Sequence, residues 1–502
     1  MKNKLLKISS FVLAAAVALA SAPSALALSS DKIISKVRVE WAPSSVSGDI
    51  LAASKMPDNL SQQVLSAVDD IVKGVRNFEE SIDISAYGIY ADEMTTIIGY
   101  VRNENPDLIN LSNAFSYSRY SDGQVVDFYP KYLFTAEEQD DYFTPFYAEI
   151  DKIVALAQSQ STDFAKALYV HDYIVSKSEY ATEVYDSQAE PSPFVYNAYG
   201  TLVNKRSVCQ GYSFAYKAVM SRLSIEVGYA LSEEMNHVWN TVDIGGKTYH
   251  IDLTYDDPVP DKVGYVGHSS FLCTDEEIKA SDHYSWTTSD TISETSYPNR
   301  FWNDVDSKIC VMGDEAVYAA YDSQNDSYLE RRNLVTNEAE TVPSALTGVY
   351  WQTLDHSGYF IGDFSRLELI GNVIYYSLPN GVNAIAFDGS DDQRVYTLPD
   401  TATGLMYGFA ERDGVFLADV RKTPNETGVI SEISLSPFVP SAVQGDIDGN
   451  GTVTMRDAIL LQKYTIGLST LDEAVLARAD MNGDQKVTMI DAILIQRMTI
   501  FG

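Results

Sequence analysis

The sequence predicts a multidomain α+β chain: an α/β core, an all-β module after it, and a small α-helical module at the C-terminus. Three observations carry this. A helical pattern that opens on Cys209 is followed by alternating runs that turn at Gly245-Gly246, so a helix adjoins a β-hairpin. From about Ile309 to Pro437, short Tyr- and Val-rich runs alternate with polar turns. The last stretch repeats itself at an offset of 34 residues, and each half opens on carboxylates spaced for oxygen ligation.

Length and charge set the frame. The 502 residues suggest three or four domains, and a hydrophobic content of 45% is that of a globular chain. Residues 1–27 read as an export signal: Lys2, Lys4 and Lys7, an apolar run from Phe11 to Ala20, then Ala25-Leu26-Ala27 as a small-residue cleavage site. That run is too short to span a membrane, and no later stretch qualifies. The expectation is a secreted, extracellular protein. The net charge of −34, or −37 without those three lysines, argues against nucleic acid and anionic membranes as partners.

Residues 28–150 read as an α/β leader. Leu60 to Phe78 and Ala91 to Glu104 have helical periodicity, the second stopped by Asn105-Pro106. Ser81 to Tyr90 alternates like a strand, and Ala114 to Tyr120 and Gln124 to Phe134 read as strands around Asp122-Gly123.

The core is placed at 151–300. Ser161 to Tyr180 is a capped helix whose Phe164, Leu168, His171, Ile174 and Val175 share a face, and His171 reads as structural. In the helix that Cys209 opens, Phe214, Ala215, Ala218 and Val219 form one inward stripe with Arg222. A cysteine in a first helical turn sits at the positive end of the macrodipole, which favours the thiolate. Counting back from a Gly245-Gly246 turn, Ile244 faces Lys247, Trp239 faces Asp252 and His237 faces Thr254. His237 and Asp252 then share the hairpin's polar face as diagonal neighbours, while Val238, Val242, Ile244, Tyr249, Ile251 and Leu253 face the core. A thiol needs a base, and the base needs a group that holds its tautomer. Cys209, His237 and Asp252 suit those roles, with the Cys209 N–H as an oxyanion donor. His268 and His283 read as structural. Cys273 and Cys310 are left either to pair or to stand as two buried thiols.

The segments AYGTLVNKRSVCQGYSFAY, NHVWNTV and YHIDLTYDD resemble the Cys, His and Asp motifs of the transglutaminase-like superfamily of cysteine enzymes. They occur in family order, with His237 28 residues after Cys209 and Asp252 15 after His237. The resemblance implies a papain-like α/β core and a thioester acyl-enzyme, with Cys209 as nucleophile, His237 as base and Asp252 as orienting carboxylate, and no cofactor for catalysis. Val238 departs from the pattern, since many relatives carry Ala there.

Residues 309–437 form the all-β accessory module. Candidate strands are Ala316 to Tyr321, Ser327 to Asn333, Val373 to Ser377, Ala384 to Phe387, Arg394 to Leu398 and Val415 to Val420. They suggest about three propeller-like units, too few for a closed propeller. Residues 438–444 read as a linker.

In the terminal repeat, GDIDGNGTVTMRDAILLQKYTIG aligns with ADMNGDQKVTMIDAILIQRMTIF. Asp446, Asp448, Asn450, Thr452 and Asp457 fall at positions 1, 3, 5, 7 and 12 of a calcium loop, and Asp480, Asn482, Asp484, Lys486 and Asp491 do so in the second. Position 7 acts through its carbonyl, so Lys486 is compatible. Each loop is followed by one short helix, and neither is preceded by one. Residues 445–502 therefore resemble a type I-like dockerin. That resemblance implies two Ca²⁺ sites and a cohesin module of a scaffold protein as partner. The contact residues it implies are Met455, Arg456, Gln462 and Lys463, with Met489, Ile490, Gln496 and Arg497 as their counterparts.

The combined expectation is a secreted, cellulosome-type cysteine enzyme acting on protein or peptide amides, a peptidase in the first instance. The alternatives are a cross-linking transglutaminase and a non-catalytic binding or adhesion module anchored through the dockerin. A glycan-degrading enzyme is a further reading, and no paired-carboxylate signature stands out for it.

Overall fold

The computed structural model describes residues 35–39, 61–186, 188–438, 443–449 and 453–501. The stretch read as an export signal, most of the stretch read as a linker at 438–444, and Asn450 and Thr452 lie outside the described residues.

The leader is a four-stranded antiparallel sheet with two helices. Its elements are β1 (Ser35–Val39), α1 (Gln62–Arg76), β2 (Ile82–Asp83), α2 (Met94–Glu104), β3 (Leu111–Arg119) and β4 (Val125–Tyr132), in sheet order β1-β3-β4-β2. Ser61 caps α1 by accepting from the Val64 N–H. Gly123, at φ 95°, makes the turn between β3 and β4. The strand expected over Ser81 to Tyr90 is cut to β2. The Asp83 side chain accepts from the Ser85 N–H at 2.9 Å and bends the chain into a 3-10 turn, which Gly88 ends at φ 67°. Strand β1 was not anticipated.

The core follows as α3 (Gln139–Ala157), α4 (Asp163–Lys177), β5 (Glu179–Tyr180), α5 (Ala198–Leu202), β6 (Arg206–Ser207), α6 (Cys209–Arg222), β7 (Val227–Ser232), β8 (His237–Asp243), β9 (Thr248–Ile251), α7 (Asp275–Ala280) and β10 (Trp286–Thr288). The sheet order is β10-β7-β8-β9, antiparallel throughout. Helix α6 is central. Every residue from Cys209 to Met220 is buried, because helices α3, α4 and α5 cover one side of it and β8 the other. The single inward stripe read from periodicity thus understates a helix enclosed all round.

Three antiparallel meanders come next. The first is β11 (Cys310–Met312), β12 (Glu315–Tyr321), β13 (Ser327–Asn333) and β14 (Ala339–Val342). The second is β15 (Leu367–Ile370), β16 (Val373–Leu378), β17 (Gly381–Ala386) and β18 (Gln393–Thr397). The third is β19 (Leu405–Arg412), β20 (Val415–Arg421) and β21 (Val429–Ile433). Charged pairs tie this region to the core. Lys177 reaches Glu411 at 2.6 Å, Arg412 reaches Glu179 and Asp261, and Lys308 reaches Glu368 at 2.9 Å.

The C-terminal part holds α8 (Met455–Thr465), α9 (Glu473–Ala479) and α10 (Met489–Phe501). Ala458, Leu461, Ala479, Ala492 and Ile495 form its small core. One helix was expected after each loop. The additional α9 sits between them, started by Asp472, whose side chain accepts from the Val475 N–H.

Candidate active site

Cys209 is presented by the way the chain enters α6. Strands β5 and β6 pair in parallel for two residues, and extended Val208 then bonds through its N–H to the Val195 carbonyl at 3.0 Å. Val208 is the N-cap and has no polar side chain to satisfy the first turn. Its carbonyl accepts from Gly211 and Tyr212. The N–H groups of Cys209 and Gln210 take no acceptor among the described residues. Two free donors therefore head the helix beside the thiol.

The hairpin delivers the other two residues in the expected register. Val242 pairs with Tyr249 and Asp243 with Thr248, and the Ile244 N–H bonds the Lys247 carbonyl across a turn with Gly245 and Gly246 both at positive φ. His237 Nε2 donates to Asp252 Oδ2 at 2.5 Å. The other oxygen, Oδ1, accepts from the Thr254 and Tyr255 N–H groups at 2.9 and 3.3 Å. The Cys209 sulfur acts on the His237 imidazole as a side-chain neighbour that favours its proton. With Nε2 held by Asp252, the nitrogen left for sulfur is Nδ1. All three residues are brought together.

This polar face is buried: His237, Trp239, Thr241, His250 and Asp252 are all shielded from solvent. The segment around β10 covers it: Trp239 meets His283 and Trp286 edge-on at 4.8 and 5.9 Å. Cys209 is 2% exposed and His237 7%. Trp239 donates to His250 Nδ1 at 3.0 Å, which leaves His250 Nε2 to donate to Asp275 at 2.9 Å.

His283, read as structural, belongs to the site. Its Nε2 lies 2.8 Å from the same Asp252 oxygen, and its Nδ1 donates to the Ser281 carbonyl. Tyr255 packs on both rings, 5.1 Å from His237 and 4.1 Å from His283. No local spacing signals His283, since it lies 31 residues beyond Asp252 in an irregular segment. His171 shares no partner with this trio and sits in another buried cluster with Asp172, Asp256 and His268.

Burial alone would disfavour a charged His237. The Asp252 carboxylate and the Cys209 sulfur outweigh it and push the imidazole up to about 10. For Asp252, burial is likewise the largest influence, yet His237 and His283 together hold it well below the usual carboxylate range. The arrangement favours a proton on His237.

Cys273 and Cys310 are buried free thiols. Burial pushes Cys273 up to about 12 and Cys310 higher still.

The described parts of the terminal loops share a set of hydrogen bonds. Asp457 Oδ1 accepts from the Ile447 and Asp448 N–H groups, as Asp491 Oδ1 does from Met481 and Asn482. Asp446 and Asp480 each accept at Oδ1 from a glycine N–H three residues on, Gly449 and Gly483. Carboxylate oxygens of Asp446, Asp448 and Asp457 gather within 4.8 Å, and Asp457 is wholly buried. Like charges held that close fit a divalent cation bound through oxygen. In the second loop Asp480, Asn482 and Asp484 are joined by short-range bonds around the Lys486 N–H. Met455, Arg456, Lys463, Met489, Ile490 and Arg497 are exposed, and Gln462 and Gln496 are half-buried.

Comparison with known proteins agrees with both parts. Residues 152–253 match the transglutaminase-like superfamily, and residues 444–498 match the dockerin type I domain. No curated protein matches. A solved structure described as "Crystal structure of a TGase" is 14% identical with a TM-score of 0.21, over 31% of this chain and 47% of that one. Among the described residues no helix is long and apolar enough to cross a membrane. The chain thus carries a transglutaminase-like core and, near its C-terminus, a type I dockerin domain.

Proposed function

We propose that this chain is a secreted, scaffold-attached cysteine enzyme of the cellulosome type that cleaves protein or peptide amides through a thioester on Cys209. The observation that carries the reading is His237, held by Asp252 at 2.5 Å on one nitrogen and raised by the neighbouring Cys209 sulfur.

His237 holds the thiol proton, and the sulfur attacks the amide carbonyl carbon, forming a C–S bond. The carbonyl electrons move to oxygen, and the Cys209 and Gln210 N–H groups stabilise that oxyanion. The intermediate collapses as the C–N bond breaks and His237 gives its proton to the departing amine. Water then attacks the thioester with His237 as base, the C–S bond breaks and the acid leaves. Asp252 and His283 hold the imidazole in place throughout. Water is favoured as acceptor because it needs no second recognition site, whereas a lysine acceptor does.

The domain limits proposed are a leader at 28–150, the core at 151–300, an all-β accessory module at 309–437, a linker at 438–444 and the dockerin at 445–502. The dockerin would hold two Ca²⁺ ions through Asp446, Asp448, Asn450, Thr452 and Asp457, and through Asp480, Asn482, Asp484, Lys486 and Asp491. Calcium would order the loops so that Met455, Arg456, Gln462 and Lys463, or their counterparts, face a cohesin. Mass spectrometry of products from a lysine-rich protein mixture tests the chemistry. New termini that vanish in Cys209→Ala support cleavage; joined chains mean cross-linking; neither product means a binding module.

A further inference from the structure

Away from the thiol, the core holds a second set of imidazoles and carboxylates that this chemistry does not use. His171 and Asp172 are consecutive on α4, and His268 and Asp256 lie in the irregular segment between β9 and α7. All four are buried. Ionisable groups in such an interior need partners for every atom.

The outward atoms have them. His171 Nε2 faces Asp256 Oδ2 at 3.1 Å, and Asp256 Oδ1 accepts from the Ser270 N–H. His268 Nδ1 faces the Val305 carbonyl at 2.8 Å. Asp172 Oδ2 accepts from the Ile309 N–H at 2.7 Å. The remaining atom of each residue turns inward. His171 Nδ1 and His268 Nε2 lie 2.9 and 3.0 Å from one oxygen, Asp172 Oδ1, and all three atoms fall within 4.8 Å of one another.

Protons decide what this means. The Val305 carbonyl can only accept, so His268 carries a proton on Nδ1. The Asp256 carboxylate likewise places one on His171 Nε2. The inward nitrogens of the two imidazoles therefore both face one carboxylate oxygen. Three electron-pair donors converge, and either two further protons or one cation must stand between them. Each donor also has a hydrogen-bonded partner on its far side, the arrangement that fixes metal-bound imidazoles and carboxylates in orientation.

We propose that His171 Nδ1, Asp172 Oδ1 and His268 Nε2 bind one divalent transition-metal ion of the zinc type at a structural site. Two imidazoles and a carboxylate suit Zn²⁺ rather than Ca²⁺, which takes six or more oxygens. Tetrahedral bonds of about 2.0 Å separate ligand atoms by roughly 3.3 Å, so the two inward contacts open by a few tenths of an ångström on loading. Water completes the fourth position. Through Val305, Ile309 and Asp256 the ion joins α4 to the segment after β9 and to the start of β11.

The test uses the untagged full-length chain, expressed with added Zn²⁺ and purified in calcium buffer, with metal content read by mass spectrometry. A parallel preparation carries Co²⁺ for its visible spectrum. The proposal expects one equivalent of zinc per chain, unchanged in Cys209→Ala and His283→Gln and reduced about tenfold or more in His268→Gln. The Co²⁺ form should show visible bands of nitrogen and oxygen ligation without a thiolate charge-transfer band. Wild-type chain without zinc overturns it, and two protons then fill the site. A thiolate band, or zinc undiminished in a folded His268→Gln chain, overturns it by placing the ion elsewhere. Should His268→Gln fail to fold, the wild-type content and the Co²⁺ spectrum still decide. No readout depends on turnover, so failure here is separate from failure of the proposed chemistry.

Discussion

Two buried His–Asp–His sets lie in one core, one gathered on Asp252 and the other on Asp172. In each, two imidazole nitrogens approach a single carboxylate oxygen. They differ in what stands behind the rings. Beyond His237 is the Cys209 thiol; beyond His171 is another carboxylate, and beyond His268 a backbone carbonyl. A thiol can release its proton and bond to carbon, whereas the partners of the second set can only accept hydrogen bonds. Residue type does not separate a reactive histidine from a structural one; its last neighbour does.

The comparison is broken most severely at Asp252. Asp252→Asn keeps the shape but withdraws the charge that holds two imidazoles, and kcat should fall by about 10²–10⁴-fold. Steady-state kinetics on a peptide substrate checks this, and a fall of less than threefold would leave Asp252 a packing residue. His283→Gln should cost less, about tenfold in kcat with KM unchanged, because the group orients and does not react. An altered pH profile in that variant would separate orientation from mere packing.

The charge state of the first set appears in stability as well. His237 has a folded-state value raised from 6.5 to about 10, so its contribution is complete below pH 6.5 and is lost as pH rises through about 10. Asp252 has the opposite sign: its contribution is present above 3.8 and is lost in acid. Denaturant unfolding should therefore show the gap between wild type and His237→Gln narrowing from pH 6.5 to 10. A constant gap would contradict the ion pair. The smallest effect should come from the far end of the chain. Chelation by EGTA should unfold residues 445–502 and release the chain from a cohesin, with turnover on a soluble peptide changed less than about twofold. Loss of both would mean the two parts are coupled.

Legibility in the sequence followed the range of the interactions. The Gly245-Gly246 turn sets the register of β8 against β9, and through it the meeting of His237 and Asp252, because a two-residue loop leaves little freedom. The carboxylate cluster was legible for the same reason, since Asp446, Asp448 and Asp457 meet within twelve consecutive residues. His283 and His268 were not, because each reaches its aspartate through a long irregular segment that no periodicity describes. The burial of α6 on every side was also hidden, since periodicity reports one stripe and not how many elements will pack round it. Strand β1 pairs with β3 some eighty residues away, and nothing in SKVRV specifies that partner.

Alkylation by iodoacetamide at neutral pH, with each cysteine followed by mass spectrometry and turnover sampled in parallel, tests the central claim most directly. All three thiols are buried, and burial pushes Cys273 and Cys310 far above neutral pH. The account predicts that Cys209 reacts at least about a hundredfold faster than either, and that activity disappears at the same rate. Modification of the three at similar rates, or turnover that survives complete modification of Cys209, would contradict it.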